Sequence, residues 1–333
     1  MSESATNGGR QASPANRIGL DYRVLPRIQF REPLVDAHTH IYACEALELF
    51  IEAADLYGIG RIASMTPLSD LPEVRARLGE RVAFIAIPNW KDMGRDEAFR
   101  TRWIRDLAAF RESGARFCKF WMAPRAKKEH GLSVDDPFVR PVVTEALDLG
   151  FEFMIHVADP SVWWAREDKY AGDAVIGGKR DQYPQLEWLL ETVAPRTVIG
   201  VHMAGTIEDP EFLQQLLDRF DNLMLDSSAT KWIVREVARQ PDAVRDFFVR
   251  NSERILFGSD LVVRDAFDTF DHYASRYWAQ RTMWETAYRG ESPIEDPDGE
   301  DPPRLAGMNL PPDVLRNLYV DNAARVGFAG AAD

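Results

Sequence analysis

The chain has 333 residues, 45% of them apolar and 28% charged, the balance of a soluble globular protein and not of a disordered, fibrous or membrane-embedded one. Its 53 acidic side chains exceed the 40 basic ones by 13, and no dense Lys/Arg stripe offsets that excess, so nucleic acid and anionic lipid surfaces are excluded as partners. No apolar run approaches the roughly 20 residues that a membrane-spanning helix needs. Two cysteines, Cys44 and Cys118, are too few for a disulfide framework, which makes a reducing cytoplasm the expected compartment.

The opening stretch, residues 1–17, is polar, rich in Gly, Ser and Asn and without a hydrophobic segment, and reads as a flexible tail and not a secretion signal. Residues 18–329 read as one domain. Eight β-rich runs follow in order, at 34–42, 59–66, 81–88, 115–122, 151–158, 197–204, 222–228 and 255–261. Between them, helical patterns occupy 43–57, 96–113, 137–149, 182–193, 210–220 and 231–250, with a last helix at 312–326. Phe212, Leu213, Leu216 and Leu217 show the spacing of a helix that packs one face on a sheet. Eight strand–helix units in about 230 residues predict a (β/α)8 TIM barrel more readily than a doubly wound sheet. The less regular stretch 262–312 is an extended region after the eighth strand, either a lid over the barrel mouth or, in its acidic run ESPIEDPDGEDPP, a solvated excursion.

Strand side chains alternate, so His38 and His40 in the first run share a face, and two imidazoles on one face can bind one metal. That pair alone is a weak signal, because it also fits polar surface or a hydrogen-bonded core pair. Three further candidates fall near the carboxyl ends of other predicted strands: His156 on the fifth, His202 on the sixth and Asp260 on the eighth. In a barrel those ends converge on one mouth. Imidazole and carboxylate donors suit one divalent cation, zinc first, with manganese, iron or cobalt as alternatives. His130 and His272 read as solvated loop residues.

At VDAHTHIY, ARFCKFWMAP, FEFMIHVAD, TVIGVHMAG, ILFGSDLV and the terminal VDNAARVGF, the chain resembles the amidohydrolase superfamily, in the branch of aminocarboxymuconate-semialdehyde decarboxylase-like enzymes. The resemblance implies a distorted (β/α)8 barrel. It implies that His38, His40, His156 and Asp260 hold one metal while His202 acts as acid/base or electrophilic catalyst beside it. Binuclear members of the superfamily use a carboxylated lysine at the fourth strand; here Lys119 is read instead as a cation that faces substrate or supports a ligand, in keeping with one metal. The resemblance also suggests a dimer or larger homo-oligomer.

A metal-activated water at such a centre, with Asp260 accepting its proton, serves hydrolysis of a small-molecule amide, ester or lactone. The same centre serves a decarboxylase or hydratase of a small carboxylated substrate, and a noncatalytic ligand-binding barrel is the third reading. Arg125, Arg166 and Arg264 are candidate carboxylate partners, although surface ion pairing explains any one of them better. Trp121, Trp163 and Trp164 are candidate walls for a planar substrate, or plain packing. Substrate-binding roles are thus expected of Lys119, Arg125, Trp121 and Arg264. The Gly-rich piece 172–180 lacks the Ser or Thr of a phosphate loop, and Ser227, Ser228, Ser259 and Cys44 have no nucleophile setting.

Overall fold

The computed structural model describes residues 13–328. Nine parallel strands form one sheet in the order β8-β7-β6-β5-β4-β3-β2-β1-β9. They are β1 (Leu34–Ile41), β2 (Ile59–Met65), β3 (Val82–Ala86), β4 (Phe117–Trp121), β5 (Glu152–His156), β6 (Val198–Gly200), β7 (Leu223–Asp226), β8 (Ile255–Leu256) and β9 (Leu261–Val263). The eighth strand predicted over 255–261 is broken: β8 covers its start, and β9 begins at its last residue and runs on to Val263. β8 pairs with β7 and β9 with β1, so together they close the sheet into the expected (β/α)8 barrel. Ala37 N–H donates to Phe257 O at 2.9 Å across the seam, and Asp260 N–H to His38 O at 2.8 Å.

The outer layer follows from helical patterning. Phe99, Trp103, Leu107 and Phe110 bury one face of the helix Glu97–Glu112, and Asp96 caps its start by accepting from Phe99 N–H at 2.9 Å. The helix expected over 231–250 is two, Thr230–Arg239 and Pro241–Arg250. Pro241 has no N–H to give and forces Gln240 out of helical geometry, to φ −146° and ψ 58°. The helices Leu71–Leu78 and Pro124–His130 are too short for their periodicity to stand out in the sequence.

The stretch 262–312 is not one unit. It holds the helix Phe270–Glu285, whose residues from Tyr273 to Glu285 are almost all buried, and a hairpin of β10 (Arg289–Glu291) and β11 (Arg304–Ala306). A helix buried on all sides has no amphipathic period to read. Of the tail over 1–17, residues 13–17 are described: Arg17 N–H donates to Pro293 O at 2.8 Å, and the Asn16 amide to Asp271 at 2.9 Å. Residues 1–12 lie outside the described residues. No described helix is long and apolar enough to cross a membrane.

Candidate metal centre

The alternation of β1 brings His38 and His40 to one face, and the break between β8 and β9 brings Asp260 to meet them. Asp260 Oδ1 lies 3.2 Å from His38 Nε2 and 3.3 Å from His40 Nε2. One ligand atom from each of the three residues falls within a 4.8 Å group. Asp260 holds this position with φ at +58°, a left-handed backbone that few non-glycine residues adopt. Asp36 keeps it there. The buried Asp36 carboxylate accepts from Ser259 N–H at 2.9 Å, Ser259 Oγ at 2.6 Å and Tyr277 OH at 3.0 Å. Burial raises the Asp36 carboxyl to about 6 against those donors.

A second carboxylate, Asp226 at the end of β7, orients the imidazoles from behind. Its Oδ2 accepts from His38 Nδ1 at 2.8 Å, which leaves the His38 Nε2 lone pair facing Asp260. Its Oδ1 accepts the backbone N–H groups of His202 at 2.8 Å and Ser228 at 3.1 Å and the Ser228 hydroxyl. Ser228 Oγ also lies 2.6 Å from His202 Nδ1, so His202 Nε2 is the ring nitrogen left without a partner among the described residues. β6 stops at Gly200 where the sequence predicts strand through 204. His202, Met203, Ala204 and Gly205 then take φ of 57°, 55°, 50° and 72°, a left-handed turn that swings the His202 imidazole inward. Its ring stacks on His38 at 4.9 Å between centroids and meets His156 edge-on at 4.7 Å.

The electrostatics match a donor set for a cation. Burial opposes ionisation of Asp260, yet His202, His38 and His40 outweigh it and hold the carboxyl well below the usual range. Burial keeps His202 neutral by pushing its pKa well down, and it lowers His40 as well. An ionised Asp260 beside neutral His202 and His40 supplies the protonation states that ligate a divalent ion, while against burial the carboxylates of Asp226 and Asp260 raise His38, so a cation here competes with a proton on His38.

His156 reaches the same cavity but not the three-residue group. Its Nε2 lies 2.9 Å from Asp159 Oδ1, and Asp159 in turn accepts from Tyr170 OH. The cavity, about 590 Å³, is lined by His40, His156, His202, Asp260, Lys119, Arg125, Trp121 and Arg264, and also by Tyr42, Trp90, Trp232 and Val262. Every expected substrate-binding residue therefore borders it. Lys119 Nζ is 3.4 Å from His38 Nε2, and burial lowers its pKa to about 8 against the pull of Asp226 and Asp260. Arg125 is paired with Glu129 at 3.0 Å, whereas Arg264 lies over the Phe267 ring and has no carboxylate partner among the described residues.

Arg166, Trp163 and Trp164 do not line the cavity. Arg166 pairs with Asp168 and Asp298, and Trp163 donates to Asp298 at 2.9 Å. His272, expected in solvent, is partly buried and stacked on Phe267 at 4.1 Å. Asp226, Ser228 and Trp232 escape sequence reasoning. For Asp226 the available signal was a carboxylate at a strand's carboxyl end, the position that already points to Asp260.

A closed parallel barrel with a histidine–carboxylate cluster at the carboxyl ends of its strands places the molecule among the (β/α)8 barrels built for chemistry at that mouth. The chain belongs to the amidohydrolase family, whose model matches residues 73–326. No curated protein matches it. The fold is similar to that of a protein named as a 2-pyrone-4,6-dicarboxylic acid hydrolase, from Pseudomonas putida, at 11% identity and TM-score 0.52, over 90% of this chain and 99% of that one. It is also similar to 2,6-dihydroxybenzoate decarboxylase from Rhizobium, at 14% identity and TM-score 0.49, over 86% and 98%. A third similar structure is 5-carboxyvanillate decarboxylase from Novosphingobium aromaticivorans, complexed with manganese and a nitrobenzoic acid, at 13% identity and TM-score 0.49, over 89% and 96%. At these identities the likeness is one of fold.

Proposed function

We propose that the protein is a metal-dependent hydrolase of a small-molecule amide, ester or lactone. The observation that carries this reading is the meeting of His38, His40 and Asp260 donor atoms within 4.8 Å, with His40 and Asp260 on the wall of a cavity of about 590 Å³. His38, His40 and Asp260 would hold one divalent ion, zinc first by donor chemistry, with His156 as the fourth protein ligand. Such an ion, when bound, supplies Lewis acidity and lowers the pKa of water to about 7. Asp260, ionised, takes the proton lost as water adds to the carbonyl carbon. His202 Nε2, a lone pair while Nδ1–H faces Ser228, takes that proton from Asp260 and passes it to the departing nitrogen or oxygen as its bond to that carbon breaks. Lys119, Arg125 and Arg264 orient the substrate, and Trp121 offers it an apolar face.

A second reading, decarboxylation or hydration of a carboxylated substrate, draws support from Lys119 and Arg264, two cations at the cavity of which Arg264 has no carboxylate partner among the described residues. Assay of released carbon dioxide against released amine, alcohol or acid separates the two.

The test of the centre is metal content by plasma mass spectrometry on protein purified without chelator. About one ion per chain is expected. His38→Ala should lose metal and turnover together. His202→Asn should keep the metal while kcat falls by about 100-fold or more. Loss of the metal in His202→Asn would sink the assignment of His202 as acid/base.

A further inference from the structure

Beside Asp260 lies a second cavity of about 260 Å³. Its walls include Lys231, Trp232, Phe267, His272 and Arg276, and it shares Trp232, Asp260 and Val262 with the main cavity. The chemistry of this wall is cationic. Arg276 Nη1 donates to His272 O and Ser275 Oγ, both at 3.0 Å, and its remaining guanidinium donors meet no acceptor among the described residues. Burial without a carboxylate in contact lowers the Arg276 guanidinium to about 10. Burial first, and then Arg276, Lys231 and Arg264, press His272 down to about 3, so it stays neutral and adds no competing charge.

Two carboxylates are near. Asp260 turns Oδ1 toward His38 and His40, and Glu295 takes Lys231 Nζ at 3.2 Å from a position open to water. In a chain where 53 acidic side chains outnumber 40 basic ones, guanidinium donors left free at a partly enclosed wall are not for want of carboxylates. Such donors are satisfied by an oxyanion, whose oxygens accept two of them at once.

We propose that this pocket is a second binding site, for a small oxyanion of the carboxylate or phosphate type, held by Arg276 and Lys231 against the Trp232 and Phe267 rings. The oxyanion comes either on the far end of the molecule that occupies the main cavity or as a separate ion. Only the first source rests on the metal-centre reading; the site itself does not.

Calorimetric titration of the full chain with inorganic phosphate tests it. Phosphate should bind the wild type, and Arg276→Met and Lys231→Met should each weaken it about tenfold or more, the scale of one charge-assisted hydrogen bond. Arg276→Lys should recover most of the loss. His40→Ala, which the metal reading expects to empty the centre, should bind phosphate unchanged, so failure of one reading can be told from failure of the other. Should Arg276→Met not fold, as judged by circular dichroism, Lys231→Met gives the same readout from a more exposed position.

Benzoate and isophthalate on metal-loaded protein distinguish the sources. An isophthalate advantage that disappears in Arg276→Met means that the substrate carries the oxyanion. No advantage, with phosphate still bound, means a separate ion. Absence of phosphate binding to His40→Ala, or equal binding in wild type, Arg276→Met and Lys231→Met, would overturn the proposal.

Discussion

The imidazole of His38 shows how much of the centre depends on a group outside it. Its Nε2 can face Asp260 as a lone pair only while Nδ1 carries the proton, and Asp226 Oδ2, 2.8 Å away, is what holds that proton there. Asp226→Asn keeps the shape but removes the charge that fixes the tautomer. Metal affinity measured by chelator competition should fall about 10- to 100-fold, with far-ultraviolet circular dichroism unchanged. Unchanged affinity would mean that Asp226 only packs. The role of Asp226 was not legible in NLMLDSS, because nothing local distinguishes a carboxylate that orients a histidine from one that ends a strand. His38 and His40 were legible, since alternation along one strand suffices to put them together.

The turn after β6 is where local propensity yields to packing. Three consecutive non-glycine residues, His202, Met203 and Ala204, hold positive φ, each at a cost of about 1–3 kcal/mol. Gly205 completes the turn at φ 72°, and a Cβ there would stand 2.1 Å from Ala158 O on the loop after β5. Both the conformation and the close approach require glycine. Gly205→Ala should therefore cost about 3 kcal/mol or more, read as a drop in the urea midpoint with unchanged slope. A cost under 0.5 kcal/mol would show that the turn can relax without effort. The run TVIGVHMA reads as continuous strand because its β-branched and apolar residues carry no sign of the left-handed turn that begins at His202; the contact with Ala158 is what makes the turn visible.

Across the whole molecule, one buried ion pair ties the segment before β1 and the last helical stretch to the helix Phe270–Glu285. Arg281 donates to Glu285 Oε1 at 2.6 Å, to Tyr57 O at 2.9 Å and to Phe30 O at 2.6 Å. Glu285 also accepts from Gln29 N–H, Phe30 N–H and Tyr319 OH. The segment before β1, the loop before β2 and the last helical stretch thus meet on the helix Phe270–Glu285. Arg281→Met removes one partner and leaves a buried carboxylate, which should cost about 3–5 kcal/mol in chemical denaturation. A change under 1 kcal/mol would mean that Glu285 takes up a proton or finds water at little cost. The same cluster explains why 262–312 resists reading as a loop: its helix is a structural wall of the barrel.

Recurrent strand and helix periods reveal the barrel, and the carboxyl ends of its strands point to His38, His40, His156, His202 and Asp260, because alternation and strand direction are properties of short stretches of chain. Contacts between distant residues decide the rest. Asp226 and Ser228 meet His38 across 188 and 190 positions, and the β8–β9 break turns on Asp36 and Ser259, 223 positions apart. The cationic pocket beside Asp260 likewise joins Lys231 from one helix to His272 and Arg276 from another. Each of these depends on where a side chain stands when strands and helices from remote parts of the sequence pack together, and no local period encodes that.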